Sequence, residues 1–90
     1  MGVYLVERDL PGVTLEELAE CQKKAIQMGR EMTAEGVEVR YIRSTFVPGD
    51  HKCMCLFEAP SADNVRRANE RGSIPFTRIV AAEDLTPRPE

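Results

Sequence analysis

The sequence of 90 residues predicts an α+β fold whose elements follow the order β-α-β-β-α-β. Four stretches are made up largely of residues that suit half-buried strands, in which successive side chains point to opposite faces. Two others place apolar residues at helical spacing, and each begins behind a hydroxyl side chain that can cap a helix. Proline and glycine mark the junctions. The order is that of the ferredoxin-like arrangement, in which a four-stranded antiparallel sheet has two helices on one face.

The first half of the chain predicts one strand and one long helix. Residues 3–10 are predicted as a strand with Val3, Leu5, Glu7 and Asp9 on one face, and the strand ends at a Pro-Gly turn. Thr14 precedes Glu17 by three residues, which is the spacing of a capping box. We expect the helix to end at Gly36, because glycine is favoured just after a helix. Gly29 weakens the helix, and its position predicts that a strand approaches closely there.

The second half predicts the remaining four elements. They are strands over residues 37–47, 53–59 and 77–85 and a helix between Ser61 and Gly72. Pro60 ends the third strand because it cannot donate to a sheet, and Ser61 supplies the hydroxyl of an N-cap. We therefore expect a single domain over residues 1–86. Residues 87–90 contain proline and no apolar anchor, which predicts a flexible tail.

The composition excludes several classes of function. The chain is 42% hydrophobic and 30% charged, with a net charge of −3 and interspersed signs, so no basic surface for nucleic acid is predicted. No apolar run reaches the roughly 18 residues of a membrane span. The start of the chain lacks the pattern of a signal peptide, and three cysteines make a poor disulfide framework. These features predict a cytoplasmic protein.

The alternation divides the predicted sheet into two faces. The residues predicted to face the helices are Tyr4, Val6, Ile42, Phe46, Met54, Leu56 and Val80. The opposite, open face combines apolar Val3, Leu5, Val39, Tyr41, Phe57 and Ile79 with polar Glu7, Asp9, Arg43, Cys53 and Cys55. A face this apolar is rarely left exposed by a monomer. We therefore expect a symmetric homodimer whose two sheets form a barrel around a cavity.

The open face is the candidate site for a small ligand, such as an anion or a planar organic molecule. The predicted ligand-binding residues are Glu7, Asp9, Tyr41, Arg43 and Cys55, of which Tyr41 and Arg43 contact the ligand while Glu7 and Asp9 orient it. Charged residues at strand ends are more often structural. The alternative for the two carboxylates is therefore an ion pair, one of them with Arg43.

Two other functions compete with ligand binding. Glu7, Asp9, Cys53 and Cys55 offer oxygen and thiolate ligands for a metal, although free cysteine is more often a small buried hydrophobe. A cofactor-free oxygenase, isomerase or cyclase is the enzymatic alternative, by analogy of fold alone. His51, the one histidine, falls in a predicted turn, so no catalytic residue is assigned.

Three motifs carry a family resemblance over residues 3–85. VERDLPG, CLFEAPSADNV and SIPFTRI, in this order, resemble the DUF4242 family of small bacterial proteins, whose best-known type is nickel-responsive and binds nickel. The resemblance implies a ferredoxin-like fold, a homodimeric barrel and, in some members, a divalent metal such as nickel at the dimer interface. Cys55 matches the cysteine of the family.

The sequence departs from the family at the positions where the resemblance implies metal ligands. The first-strand pair is Glu7 and Arg8, the second-helix position is Asn69, and the second-strand position is Arg43. Imidazole suits Ni(II), whereas an arginine cannot donate a lone pair to a metal. Any metal site of this chain is therefore predicted to use ligands other than histidine.

Overall fold

The computed structural model describes residues 1–87 and confirms the ferredoxin-like fold. Its elements are β1 (Gly2–Asp9), α1 (Leu15–Ala34), β2 (Arg40–Val47), a 3-10 turn (Pro48–Asp50), β3 (Lys52–Ala59), α2 (Ala62–Arg71) and β4 (Arg78–Ala82). The strands form one antiparallel sheet in the order β2-β3-β1-β4. The central strands are therefore β1 and β3, and the helices pack against one face. Of the predicted tail, residues 88–90 lie outside the described residues.

The helix boundaries follow the predicted capping signals. Thr14 Oγ1 accepts a hydrogen bond from the backbone N–H of Glu17 at 3.1 Å, and the Glu17 carboxylate accepts one from the N–H of Thr14 at 3.0 Å. The capping box is thereby confirmed. Ser61 Oγ accepts from the N–H of Asn64 at 3.3 Å at the start of α2. Gly36 follows α1 with a φ of 92°, a conformation that favours glycine.

The close approach predicted at Gly29 is confirmed. A Cβ atom there would lie 2.9 Å from the carbonyl oxygen of Val39, just before β2. Thr33 holds the same junction, because its hydroxyl donates to the Val39 carbonyl at 3.1 Å and accepts from the Val39 N–H at 3.2 Å. Val39 is buried in the core, and its predicted place on the open face was wrong. Strand β2 begins only at Arg40, three residues later than predicted.

The face assignment of β3 was wrong, and that of β4 with it. The residues of β3 that point to the helices are Cys53, Cys55, Phe57 and Ala59, whereas Met54 and Leu56 lie on the open face. In β4, Ile79 pairs with Val6 on the helix side and Val80 pairs with Leu5 on the open side. The charged residues Lys52 and Glu58 share the Met54 face of β3, which is a physical reason for that face to point away from the core.

A β-bulge explains the error in β2. Tyr41 pairs with Phe57 and Arg43 pairs with Leu56, so Ile42 is an extra residue between two consecutive pairs. An extra residue reverses the alternation that follows it. Tyr41 therefore lies on the helix side, against the prediction, while Arg43 lies on the open face as predicted.

Candidate functional site

A buried arginine lies at the centre of the helix side of the sheet. Arg8 of β1 is 2% exposed. Its guanidinium donates from Nε to Cys55 Sγ at 3.4 Å, from Nη1 to the carbonyl of Pro75 at 3.0 Å and from Nη2 to Asn69 Oδ1 at 2.6 Å. Within residues 1–87 no carboxylate contacts this cation. Neutral acceptors and a thiol sulfur therefore satisfy a charge that is costly to bury.

A second series of hydrogen bonds reaches the same sulfur from α1. Ser44 Oγ donates to Cys55 Sγ at 3.0 Å. Because serine has one hydroxyl proton, Tyr41 must be the donor in its 2.7 Å hydrogen bond to Ser44 Oγ. Gln22 Nε2 in turn donates to the Tyr41 oxygen at 2.8 Å. The donors thus point from both sides towards Cys55 Sγ.

We call this set of side chains the Cys55 network. It consists of Gln22, Tyr41, Ser44, Cys55, Arg8 and Asn69. Asn69, which is fully buried, completes it by donating to the carbonyl of Val65 at 2.8 Å. The network therefore connects α1, β2, β3, β1 and α2. In the described part of the chain, every buried side-chain nitrogen and oxygen has a hydrogen-bond partner.

A second thiol lies beside the end of the network. Cys53 Sγ is 3.9 Å from Cys55 Sγ, and both residues are at most 5% exposed. Burial, followed by the charge of Cys55 and its hydrogen bond, raises the pKa of Cys53 to about 11, while the positive charge of Arg8 acts in the opposite direction. Cys53 is therefore a neutral thiol at neutral pH.

These groups line a cavity of about 200 Å³ between α1 and the sheet. Its polar lining comes from Arg8, Gln22, Tyr41, Ser44 and all three cysteines, and the rest is apolar, including Leu18, Ala19 and Phe46. An apolar cavity with a few convergent polar groups is typical of a small-molecule site. The helix-side cavity is thus the candidate functional site.

A larger groove of about 840 Å³ runs beside the edge strand β2 and the second half of α1. Its rim includes the exposed charged residues Arg30 and Glu38 and the ion pair of Arg40 with Glu58 at 3.1 Å. It adjoins no buried titratable group of the kind found in the helix-side cavity. We therefore regard the smaller, helix-side cavity as the better candidate for a binding site.

The charged residues of the predicted site form separate ion pairs on the open face. Glu7 accepts from Arg78 at 3.1 Å, and this hydrogen bond lowers the pKa of Glu7. Lys52 pairs with Asp9 at 3.2 Å. Arg43 pairs with Asp84, so the predicted alternative of an ion pair between Arg43 and one of the two strand-end carboxylates was wrong.

The sheet separates the members of both predicted sites. Glu7, Asp9 and Arg43 lie on or beside the open face, whereas Tyr41, Cys53 and Cys55 lie on the helix side. Neither the predicted ligand-binding set nor the predicted metal set is brought together within the chain. Among residues 1–87, no three His, Cys, Asp or Glu side chains are placed to hold a metal ion. His51 lies exposed in the turn before β3.

Four residues of the Cys55 network were not among the predicted site residues. They are Arg8, Gln22, Ser44 and Asn69. A sequence signal existed for three of them. Arg8 alternates with Tyr4 and Val6 on the face that points to the helices, and Ser44 alternates with Phe46 on the same face. Asn69 follows Val65 by one helical turn.

The fold and the cavity define a small ferredoxin-like protein in which the Cys55 network lies between the sheet and the helices. Residues 4–81 match the family described as nickel responsive protein SCO4226-like, and the chain belongs to this family. Among solved structures, that of SCO4226 from Streptomyces coelicolor A3(2) is similar, with a TM-score of 0.78, 19% identity and coverage of 93% of this chain and 99% of that one. This likeness shows the fold. Curated proteins gave no significant match.

The residues of this chain do not fit a nickel ion. Ni(II) suits imidazole and a set of several nitrogen and oxygen ligands. The single histidine, His51, is exposed in the turn before β3, and no cluster of three ligand side chains exists in the described part of the chain. Arg8 and Asn69, which occupy positions where the resemblance implied ligands, instead bond to each other. We therefore derive no nickel chemistry for the single chain.

No helix among the described residues is long and apolar enough to cross a membrane.

Proposed function

We propose that this chain is a small-ligand-binding protein whose site is the cavity between α1 and the sheet. The observation that carries the proposal is the Cys55 network, which directs hydrogen-bond donors from two sides onto one sulfur at the cavity wall. Tyr41 and Cys55 keep the ligand-contacting roles that the sequence predicted for them. Glu7, Asp9 and Arg43 have no role at this site.

Only half of the network has an obvious structural purpose. Arg8 connects Asn69 of α2 and the carbonyl of Pro75 to the sheet, which positions the second helix. The series from Gln22 through Tyr41 to Ser44 positions no further element, since α1 is already held at Thr33 and Gly29. Gln22 is exposed and Tyr41 and Ser44 are half-buried, so all three remain accessible to a molecule in the cavity that they line. A ligand that uses them accounts for their presence at the cavity wall.

The size of the cavity limits the ligand. Sites for drug-sized molecules have volumes of roughly 300–1,000 Å³. The helix-side cavity has about 200 Å³. We therefore expect a ligand of a few heavy atoms or a single ion rather than a large cofactor.

We propose in addition that the chain forms a homodimer through the open face. The centre of that face is apolar, with Leu5, Met54 and Leu56 only half-buried in the monomer. Two such faces packed together would remove this surface from water. With three free thiols, the protein is expected in a reducing cytoplasm. Membership of the DUF4242 family, which the sequence motifs resemble, stays a prediction.

Two variants distinguish the helix-side cavity from the larger groove. Ala19 is exposed and lines the cavity, whereas Ala34 is exposed and lines the groove. We expect Ala19→Phe to abolish the increase in Tm that a bound small ligand produces, and Ala34→Phe, the matched control, to preserve it. The screen would contain inorganic oxyanions, short carboxylates, small thiols and single metal ions. Loss of the response in Ala34→Phe alone would contradict the proposal.

A further inference from the structure

We propose that Cys53 and Cys55 together bind one thiophilic monovalent metal ion, of the class of Cu(I). The inference rests on the proposed function and names the ligand of the same cavity. The two thiols are alternate residues of β3 on one face, both are free, and both line the cavity. The carboxylates predicted as their co-ligands, Glu7 and Asp9, lie on the other side of the sheet and take no part.

The separation of the two sulfurs suits one shared metal ion. Metal–thiolate bonds are about 2.3 Å long. With the sulfurs 3.9 Å apart, two such bonds would meet at the metal at an angle of about 115°. This angle is close to that of a three-coordinate site. The third position would face the cavity, where a small exogenous donor has room.

The charge of the surroundings selects a monovalent ion. Two thiolates carry two negative charges, and Arg8 carries one positive charge that it cannot lose. A monovalent metal makes this buried group neutral, whereas a divalent metal leaves a net positive charge without a carboxylate to balance it. Uncompensated buried charge is strongly unfavourable. Thiolate ligands also favour Cu(I) among the biological metals.

Binding is a ligand exchange without a change of oxidation state. The two S–H bonds break, two metal–sulfur bonds form, and both protons leave to solvent. The N–H of Arg8 and the O–H of Ser44 already point at Cys55 Sγ and would remain as hydrogen bonds to the metal-bound thiolate. The hydrogen-bonding side chains thus need no rearrangement.

The experiment is an anaerobic titration of the full chain with Cu(I), in competition with the chelator bathocuproine disulfonate. We expect one Cu(I) per chain in the wild type and at least a hundredfold weaker binding in Cys53→Ser and in Cys55→Ser. The control variants are His51→Ala, which removes the exposed histidine, and Asp9→Asn, which removes a carboxylate of the other face. Both should bind as the wild type does. Unchanged binding in the cysteine variants, or no stoichiometric binding in the wild type, would overturn the proposal.

X-ray absorption at the copper edge of the wild type gives a second test if a cysteine variant fails to fold. We expect two or three sulfur neighbours at about 2.3 Å. A first shell of nitrogen and oxygen would contradict the assignment. The outcome is separate from that of the ligand screen: an organic ligand sensitive to Ala19→Phe, without Cu(I) binding, would refute the metal and keep the cavity.

Discussion

The two faces of the sheet handle their charged groups in opposite ways. On the open face, Glu7 and Arg78, Arg43 and Asp84, and Lys52 and Asp9 neutralise one another as exposed pairs. On the helix side, one buried arginine has no acidic partner within residues 1–87, and its neighbours are a thiol, an amide and a carbonyl. Each of these charged residues of the open face thus has a partner of opposite charge, whereas the buried cation of the helix side lies beside a cavity without such a partner among the described residues.

This difference distinguishes charged groups that only support the fold from polar groups that are available to a ligand. Exposed ion pairs contribute little energy and are screened by salt, so they mark solvated strand ends. A buried cation that is bonded but not neutralised requires an extended set of hydrogen bonds, and such a set fixes the positions of all its members. The helix side therefore holds its polar groups in place beside the cavity before any ligand arrives. The apolar centre of the open face is suited to a second copy of the chain.

The largest effect is expected from Phe57, which is fully buried on the helix side. Phe57→Ala removes the ring and leaves a cavity among Val6, Val65 and their neighbours in the core. We expect a loss of about 3–5 kcal/mol in the free energy of unfolding, measured by denaturant titration. A loss below about 1 kcal/mol would place Phe57 outside the core.

Arg8→Met compared with Lys52→Met tests the two kinds of charge directly. Without the guanidinium, Asn69 Oδ1 and the Pro75 carbonyl lose their donor in the interior, and we expect a cost of about 2–4 kcal/mol in the free energy of unfolding. Lys52→Met removes an exposed pair with Asp9 and should cost less than about 1 kcal/mol. Equal costs would show that the burial of Arg8 has no energetic consequence.

Leu56 is the neighbour of Phe57 in sequence and lies on the opposite face. Leu56→Glu places a charge at the centre of the open face, so we expect the fold to persist while the proposed homodimer dissociates into monomers. Light scattering coupled to size-exclusion chromatography measures the mass, and circular dichroism checks the fold. A wild-type protein that is already monomeric at high concentration would refute the homodimer.

The thiols are expected to react at different rates. Cys21 is half-buried on α1, whereas Cys53 is 4% exposed and has a pKa raised to about 11. Relative to the ordinary value of 9.0, this shift lowers the thiolate fraction of Cys53 about a hundredfold. Iodoacetamide at pH 8 should therefore label Cys21 well before Cys53, as followed by peptide mass spectrometry. Equal rates at the two residues would contradict this order.

The smallest effect concerns Glu7, whose pKa is lowered by the hydrogen bond from Arg78. Because the folded-state pKa lies below the unfolded value, the pair stabilises the fold above the unfolded pKa. Its contribution is lost as the pH falls through the folded pKa. Carboxyl-carbon NMR should show Glu7 titrating below 4.5 in the wild type and closer to 4.5 in Arg78→Met. An unchanged titration in that variant would exclude Arg78 as the cause.

Local signals in the sequence predicted the elements but not all of the faces. Thr14, Ser61, Gly29 and Gly36 act through their nearest neighbours, and each has its predicted role. The bulge at Ile42 depends on pairing with β3. Tyr41 and Ile42 interrupt the alternation of β2 as two adjacent apolar residues, but this pattern alone does not identify an extra residue. Tyr41 was therefore assigned to the wrong face.

The inverted β3 shows a second limit. Met54 and Leu56 were expected inside, but the interior of β3 consists of Phe57, the small Ala59 and the small thiols of Cys53 and Cys55, next to the long buried Arg8. Small side chains on one strand can be compensated by large side chains on its neighbour, because core packing depends on the total volume of the buried side chains. The candidate site could not be predicted completely for this reason.

The central claim is that the helix side, and not the open face, binds the ligand. Methyl groups report on both faces of the sheet. Leu10 and Leu18 line the helix-side cavity, whereas Leu5, Leu56 and Met54 lie on the open face. We would record methyl NMR spectra of the labelled protein while adding anaerobic Cu(I) and each small ligand that raises Tm. The account predicts shifts at Leu10 and Leu18 with unchanged open-face methyls. Shifts centred on Leu5, Leu56 and Met54 would contradict it.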